Sequence, residues 1–278
     1  MKIVSTGATL SSPEFYKKKK KARQTKLIVA GVGLLVVLGA FVFVSRMERF
    51  RISAVSVSGA QVISSDDVER VAKETLSGYY LYLVPRDSSF LYSRQALERE
   101  LGASFPRFSN LGVSLASLQE LEVTVSERKP YALYCGAEIS PQDASVCYFL
   151  DTEGFIFDFA PTFSEGVYFV YASAQALENP RGSQFLPASV FKSLTDFVEG
   201  LKALGFEPRA LKSGESQFEI FLPSEARILL ARESDLALIY SDLESFLADE
   251  AIKTQENFLE RVAELDLRTA NKVFYKFK

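Results

Sequence analysis

Residues 27–45, LIVAGVGLLVVLGAFVFVS, contain no charged side chain. At about 1.5 Å per residue, a helix of that length spans roughly 28 Å, close to the hydrocarbon thickness of a bilayer. Seven Lys/Arg stand just before it, in residues 17–26, whereas Arg46, Glu48, Arg49 and Arg51 after it are mixed in sign. The basic excess predicts a cytoplasmic tail over 1–26, a transmembrane helix over 27–45, and an extracytoplasmic remainder. A cleaved signal would have an apolar core of about 7–15 residues and a small-x-small site. Here the run is longer and ends in Phe41, Val42, Phe43 and Val44, so an uncleaved anchor is expected.

Composition narrows what the remainder does. Of the 32 Lys/Arg and 35 Asp/Glu, eight basic residues and one acid lie in 1–45. The rest holds 24 basic against 34 acidic residues, a net of −10, unlike a nucleic-acid-binding body. No histidine is present, which removes His-based general bases and the Ser-His-Asp and Cys-His systems. The two cysteines are too few for a four-Cys zinc site. Cys135 and Cys147 stand at the facing ends of two apolar runs, YALYC and CYFLD. A hairpin there brings the sulfurs close, and an oxidising exterior permits a bridge. The alternative is two unpaired small apolar residues.

Beyond the membrane segment, alternation over 52–58 predicts a strand closed by Gly59. A helix follows, capped by Ser64, with Val68, Val71, Ala72 and Leu76 on one face and Gly78 past its end. A second helix is expected over 93–101, capped by Ser93 and ended by Gly102. Leu111, Val113 and Leu115, then Leu121, Val123 and Val125, predict two strands joined at 116–119. From Tyr131 the pattern turns strand-rich, with a hairpin turning at 151–154, a strand over 166–172 and three strands across 206–231. Helices are expected over 187–204, from Ser234 as cap, and around 253–262. In the closing NKVFYKFK, Val273, Tyr275 and Phe277 share one face and Lys272, Phe274, Lys276 and Lys278 the other. An apolar edge strand of this kind is expected to be covered or paired. The fold class is therefore α+β.

The tests for chemistry are mostly negative. Ser126–Lys129 matches S-x-x-K, and Lys212-Ser-Gly214 resembles K-T-G of serine acyl enzymes. A nucleophilic Ser of that type needs a helix to bring Lys one turn later. Pro130 pushes Lys129 toward extended geometry instead. The acidic pairs Asp66/Asp67 and Asp249/Glu250 suit helix caps and solvated faces. No catalytic residue, cofactor or metal site is expected, and no phosphate loop is present.

Several stretches together resemble the FtsQ/DivIB family of bacterial division proteins. ISAVSVSGAQVISSDDV is similar to the family's opening strand, glycine and capped helix. Phe105-Pro106 and LEVTVSERKPYALY resemble the end of its POTRA unit and the V-x-E-R-x-P-x-A exit. FLDTEGFIF is similar to its D-x-x-G hairpin, and LDLRTANKVFYKFK to its closing I-D-L-R segment and terminal strand. Thr269 stands where an aromatic is commoner, and the Cys135–Cys147 insert is not a hallmark of the family. The resemblance implies a POTRA domain (β-α-α-β-β) over 46–130 and a β-rich domain with packed helices over 131–278. It implies a non-enzymatic scaffold at the division septum of the cell membrane that binds bitopic coiled-coil partners like the FtsB/FtsL (DivIC/FtsL) pair. Asp266, Arg268, Lys272, Val273, Phe274, Tyr275, Lys276 and Phe277 would carry the contact, by strand addition. Two rivals remain: a POTRA-type secretion or outer-membrane assembly factor, for which one POTRA unit and no barrel is unusual, and a cell-wall serine acyl enzyme.

Overall fold

The computed structural model describes residues 13–278 apart from 143, 145, 165, 224, 225 and 256; the first twelve residues of the expected tail lie outside that range. The first element is α1 (Pro13–Ser45), so the basic run 17–26 is helical too. Its apolar stretch is exposed nearly all round. It is long and apolar enough to cross a membrane.

Packing divides the chain into two compact units, one holding the chain through Ser58 with Ile63–Glu100 and Gly112–Thr124, the other Gly59–Val62, Leu101–Leu111 and Val125–Lys278. This differs from a boundary at 130. Arg107 and Arg128, both before that boundary, pair with Asp158 and Asp151 after it.

In chain order, β1 (Ala54–Ser58), α2 (Ser65–Leu76), β2 (Tyr79–Tyr80), β3 (Val84–Pro85), α3 (Arg94–Ser104), β4 (Phe108–Leu115) and β5 (Glu120–Glu127) come next. β1, β5 and β4 form one sheet in that order, with β1 parallel to β5 from Ala54↔Glu120 to Ser58↔Thr124. The expected helical and strand faces are inward: Val68, Ala72, Leu76, Leu97, Val113, Leu121 and Val123 are buried. Three details depart from expectation. Ser64 occupies the N-cap of α2 but makes no capping bond, whereas Ser93 Oγ accepts from the Ala96 N–H at 3.2 Å. α3 continues through Gly102 to Ser104, because that glycine keeps helical geometry. The β2–β3 hairpin between the helices was not expected.

The second unit is built on a ten-stranded sheet ordered β10-β8-β7-β6-β9-β11-β12-β13-β14-β15. Its elements are β6 (Ala132–Tyr134), β7 (Cys147–Leu150), β8 (Phe155–Ala160), β9 (Val170–Ser173), β10 (Ser183–Gln184), α4 (Ala188–Ala203), β11 (Ala210–Ser213), β12 (Gln217–Phe221), β13 (Arg227–Ala231), α5 (Leu236–Ala248), α6 (Glu250–Lys253), α7 (Phe258–Arg261), β14 (Val262–Asp266) and β15 (Phe274–Phe277). Of its parallel pairs β6–β9, β9–β11 and β13–β14, the last two are bridged by segments holding α4 and α5–α7. α4 and α5 cover one face, where Phe191, Leu194, Leu201, Ile239 and Leu243 join Tyr134, Leu150, Ile156 and Tyr171. The alternate residues Leu133, Cys135, Cys147, Phe149, Phe157 and Val170 build a second core on the other face. Strands buried on both sides explain why YALYC and CYFL read as unbroken apolar runs.

Cys135 and Cys147 are joined by a disulfide with Cα atoms 4.3 Å apart. They follow directly in register from the Tyr134↔Tyr148 pair. Gly154, closing the 151–154 turn, has φ +79°, and a Cβ there would lie 2.6 Å from the Phe191 ring. Only glycine fits.

The expected strand over 166–172 is shorter. Gly166 turns at φ +81°, Tyr168 folds over Phe149 and Phe163, and the ladder begins at Val170. Asp235, not Ser234, caps α5, accepting from the Ala237 and Leu238 N–H groups. The single helix expected around 253–262 is two short ones, α6 and α7, separated by residues 254–257.

Candidate functional site

β14 was not anticipated, and its geometry explains why. Val262 and Leu265 are both buried although three residues apart. An irregularity between Val262 and Glu264 inserts an extra residue, so Val262 pairs with Phe277 and Glu264 with Lys276. A bulge breaks period two, which is the signal a strand is read from.

β15 pairs with β14 on one side and is the last strand in the sheet order. The expected alternation holds in the packing. Val273 and Phe277 are half-buried against the helical-face core. Tyr275 lies 5.7 Å from Phe246 of α5, 5.4 Å from Phe258 of α7 and 5.2 Å from Phe277, centroid to centroid. The Arg261 guanidinium sits 4.7 Å over the Phe277 ring. On the opposite face Phe274 is 53% exposed, and Lys272, Lys276 and Lys278 are exposed with it.

Asp266 and Arg268 engage each other. Asp266 Oδ1 accepts from the Arg268 backbone N–H and Nε at 3.0 and 2.9 Å, and Arg268 Nη1 donates to Gln217 Oε1 at 2.9 Å. The Arg268 side-chain bonds, then its backbone N–H, hold the Asp266 carboxyl below the usual carboxylate range, although partial burial opposes them. The same bonds raise the Arg268 guanidinium. The pair therefore shapes the turn that leads into β15, as does Asn271, at φ +57°, whose N–H reaches Asp242 Oδ2. Beside them Arg227 bridges Glu264 at 2.7 Å and Glu219 at 4.0 Å, and Glu264 faces Lys276 in register.

The structure thus gathers all eight expected residues at one corner of the sheet, Asp266 at the end of β14 and the other seven on β15 or in the turn before it. Phe246, on the helix expected after Ser234, carries no sequence signal that ties it to the edge. Sequence reasoning missed Phe258, Glu264 and Arg227. Phe258 lay in a short, weakly periodic segment, and Arg227 carried no signal at all.

Elsewhere, Ser126 lies exposed in β5 and Lys129 follows in irregular chain, so no helix brings the amine one turn from the hydroxyl. Lys212 Nζ donates to the Ala137 carbonyl at 3.0 Å. A cleft of about 630 Å³ lies between α4 and the start of α5, lined by Ser193, Asp196, Arg232, Ser234 and Tyr240 among others. Among the described residues, no group of three His, Cys, Asp or Glu is placed to hold a metal ion. No protein-family model matches the chain, and no curated protein matches it.

Proposed function

We propose that this chain is a non-enzymatic scaffold of bacterial cell division, of the FtsQ/DivIB kind. On this reading it is anchored by α1 in the cell membrane at the septum, with a POTRA-like β-α-α-β-β unit followed by a partner-binding sheet. The observation that carries the reading is the outer edge of β15, the last strand of the sheet, with Phe274 outward and lysines on either side of it. An extended segment of a bitopic coiled-coil partner like FtsB/FtsL adds to that edge by main-chain hydrogen bonds, and side chains at alternate positions supply specificity. The lysine-flanked edge favours an acidic partner strand over a second copy of itself. Asp266 and Arg268 act as positioning residues for the turn that presents it. The two helices between β1 and the β4–β5 pair, set apart by the short β2–β3 hairpin, and the meeting of Arg128, from the E-R-x-P stretch, with Asp151, from the D-x-x-G stretch, support this reading.

The test is capture of division partners from membranes by the full chain, alongside Phe274→Ala and Phe274→Asp. Both variants change an exposed position, and each should weaken capture by at least about tenfold, the effect of losing a hot spot. Their disulfide and unfolding midpoint should stay close to the parent's. Undiminished capture by both variants would remove the edge from the mechanism. A fluorescent fusion that stays off the septum would remove the division role itself.

A further inference from the structure

The β2–β3 hairpin belongs to neither the docking edge nor the core. Its turn runs through Leu81 and Tyr82, with the Leu83 N–H donating to the Tyr80 carbonyl at 3.0 Å. Both central residues have positive φ, +49° and +61°. Turns of this hand favour Gly, Asn and Asp, because a Cβ crowds the backbone there. A leucine and a tyrosine are poor choices for the turn itself. Nor do they fill a core: Leu81 is 87% and Tyr82 92% exposed, with Leu83 at 54%. Three large side chains are held out at a strained tip, and none of them is buried against the described residues.

The position of the tip supplies the reason. Arg46, the first residue after α1, donates from Nε to the Leu83 carbonyl at 2.9 Å and from Nη2 to the Tyr82 carbonyl at 3.2 Å. Its guanidinium also lies 6.0 Å from the centre of the Tyr79 ring. The end of α1 and the hairpin tip are therefore clamped together within one compact unit. With 27–45 as the membrane span, Arg46 stands at headgroup depth. Tyrosine is enriched at that depth because its ring enters apolar surroundings while its hydroxyl stays wet. Arg46 and Arg86, the latter 5.5 Å from the Tyr80 ring centre, add cations suited to lipid phosphates.

We propose that Tyr79–Val84 is an interfacial membrane anchor. Leu81, Tyr82 and Leu83 enter the headgroup–acyl boundary of the same bilayer that α1 crosses, beside its point of exit, and set the orientation of the first unit on the membrane. The occupant is lipid rather than a protein, because the tip is continuous through Arg46 with the end of the apolar helix. The proposal rests on α1 as the span and is independent of the division reading.

The chain has no tryptophan, so Tyr82→Trp creates a single reporter. The full chain is reconstituted in vesicles of phosphatidylethanolamine and phosphatidylglycerol, with no other protein present. Emission should be blue-shifted and lose roughly half its intensity when the lipids are brominated near the headgroup end of the acyl chain. Val62→Trp, beyond the far end of β1 and exposed, should emit as in water. Water-like, unquenched emission from Tyr82→Trp overturns the proposal. In a Leu83→Trp background, replacing Leu81-Tyr82 by Asn-Gly suits the turn and removes the apolar tip. Quenching should then fall; quenching that persists also overturns it. Alkaline extraction checks α1 separately, and release of the chain would overturn the span and this proposal with it.

Discussion

The ten-stranded sheet treats its two edges in opposite ways. At one edge β10 has only two residues, Ser183 and Gln184, and follows closely on Pro180. A short strand near a proline offers little to a stray partner. Behind it, β7 and β8 are fastened by Arg128–Asp151, Arg107–Asp158 and the Cys135–Cys147 bridge. At the other edge β15 offers four residues of strand, held by edge-to-face rings and preceded by a largely solvent-facing ion pair. Buried charge pairs tolerate little movement, whereas edge-to-face ring contacts and surface pairs tolerate more. One edge is thus short and fastened, whereas the other ends on a four-residue strand with no further strand beside it among the described residues.

Removing one arginine from each end gives the largest expected difference. The Arg128 guanidinium lies 4.2 Å from the centre of the Phe155 ring, donates to the Pro106 carbonyl, and pairs with Asp151 Oδ2. Asp151 Oδ1 accepts from the Glu153 and Phe155 N–H groups, holding the turn closed by Gly154. Arg128→Ala leaves a buried carboxylate without its cation, and a loss of about 3–5 kcal/mol is expected. A denaturant midpoint measures it. Arg268→Ala removes a solvent-screened pair, and its midpoint should move far less. Equal losses in the two variants would end the contrast.

The same contrast separates what was legible from what was not. Amphipathic faces were readable because burial imposes a period: Val68, Ala72 and Leu76 on α2, and Leu121, Val123 and Val125 on β5, needed no tertiary information. The bridge between Cys135 and Cys147 was readable as one of two outcomes, because the flanking runs register with each other. β14 was hidden by its bulge, and the β2–β3 hairpin by turn residues that no turn rule would choose. The pairing of Arg128 with Asp151 links chain segments 23 residues apart, and no local pattern encodes that partnership. At the candidate edge, the alternation of β15 was legible, but the roles of Asp266 and Arg268 depended on a turn that only the fold defines.

A smaller effect probes the rings that hold the open edge. Tyr275 contacts Phe246, Phe258 and Phe277, yet remains 40% exposed. Tyr275→Ala should cost about 1–2 kcal/mol, the scale of a half-buried aromatic and its ring pairs. The loss should be local. Amide hydrogen exchange should quicken across β15 and leave β7 unchanged, since opening free energies differ between segments. If β7 loosens equally, the sheet opens as one body and its two ends are not independent.

The smallest expected effect is that of acid on the turn into β15. The Asp266 carboxyl is held below its ordinary range chiefly by the Arg268 side chain. The folded chain therefore binds a proton there less readily than the unfolded chain, whose carboxylate titrates near about 3.9. The resulting stabilisation is fully present above that unfolded value and disappears as pH falls through the lower folded one. Amide exchange in residues 267–273, corrected for its intrinsic pH dependence, should thus be flat from neutral pH down to about 5 and quicken below about 4. In Asp266→Asn the turn should exchange faster at neutral pH, and the acid-dependent step should vanish. Because Arg268 is well exposed, added salt should flatten the step in the parent chain. An acid-dependent step that survives in Asp266→Asn would assign it to another carboxylate, and the turn would then owe its shape to the backbone at Asn271 rather than to this pair.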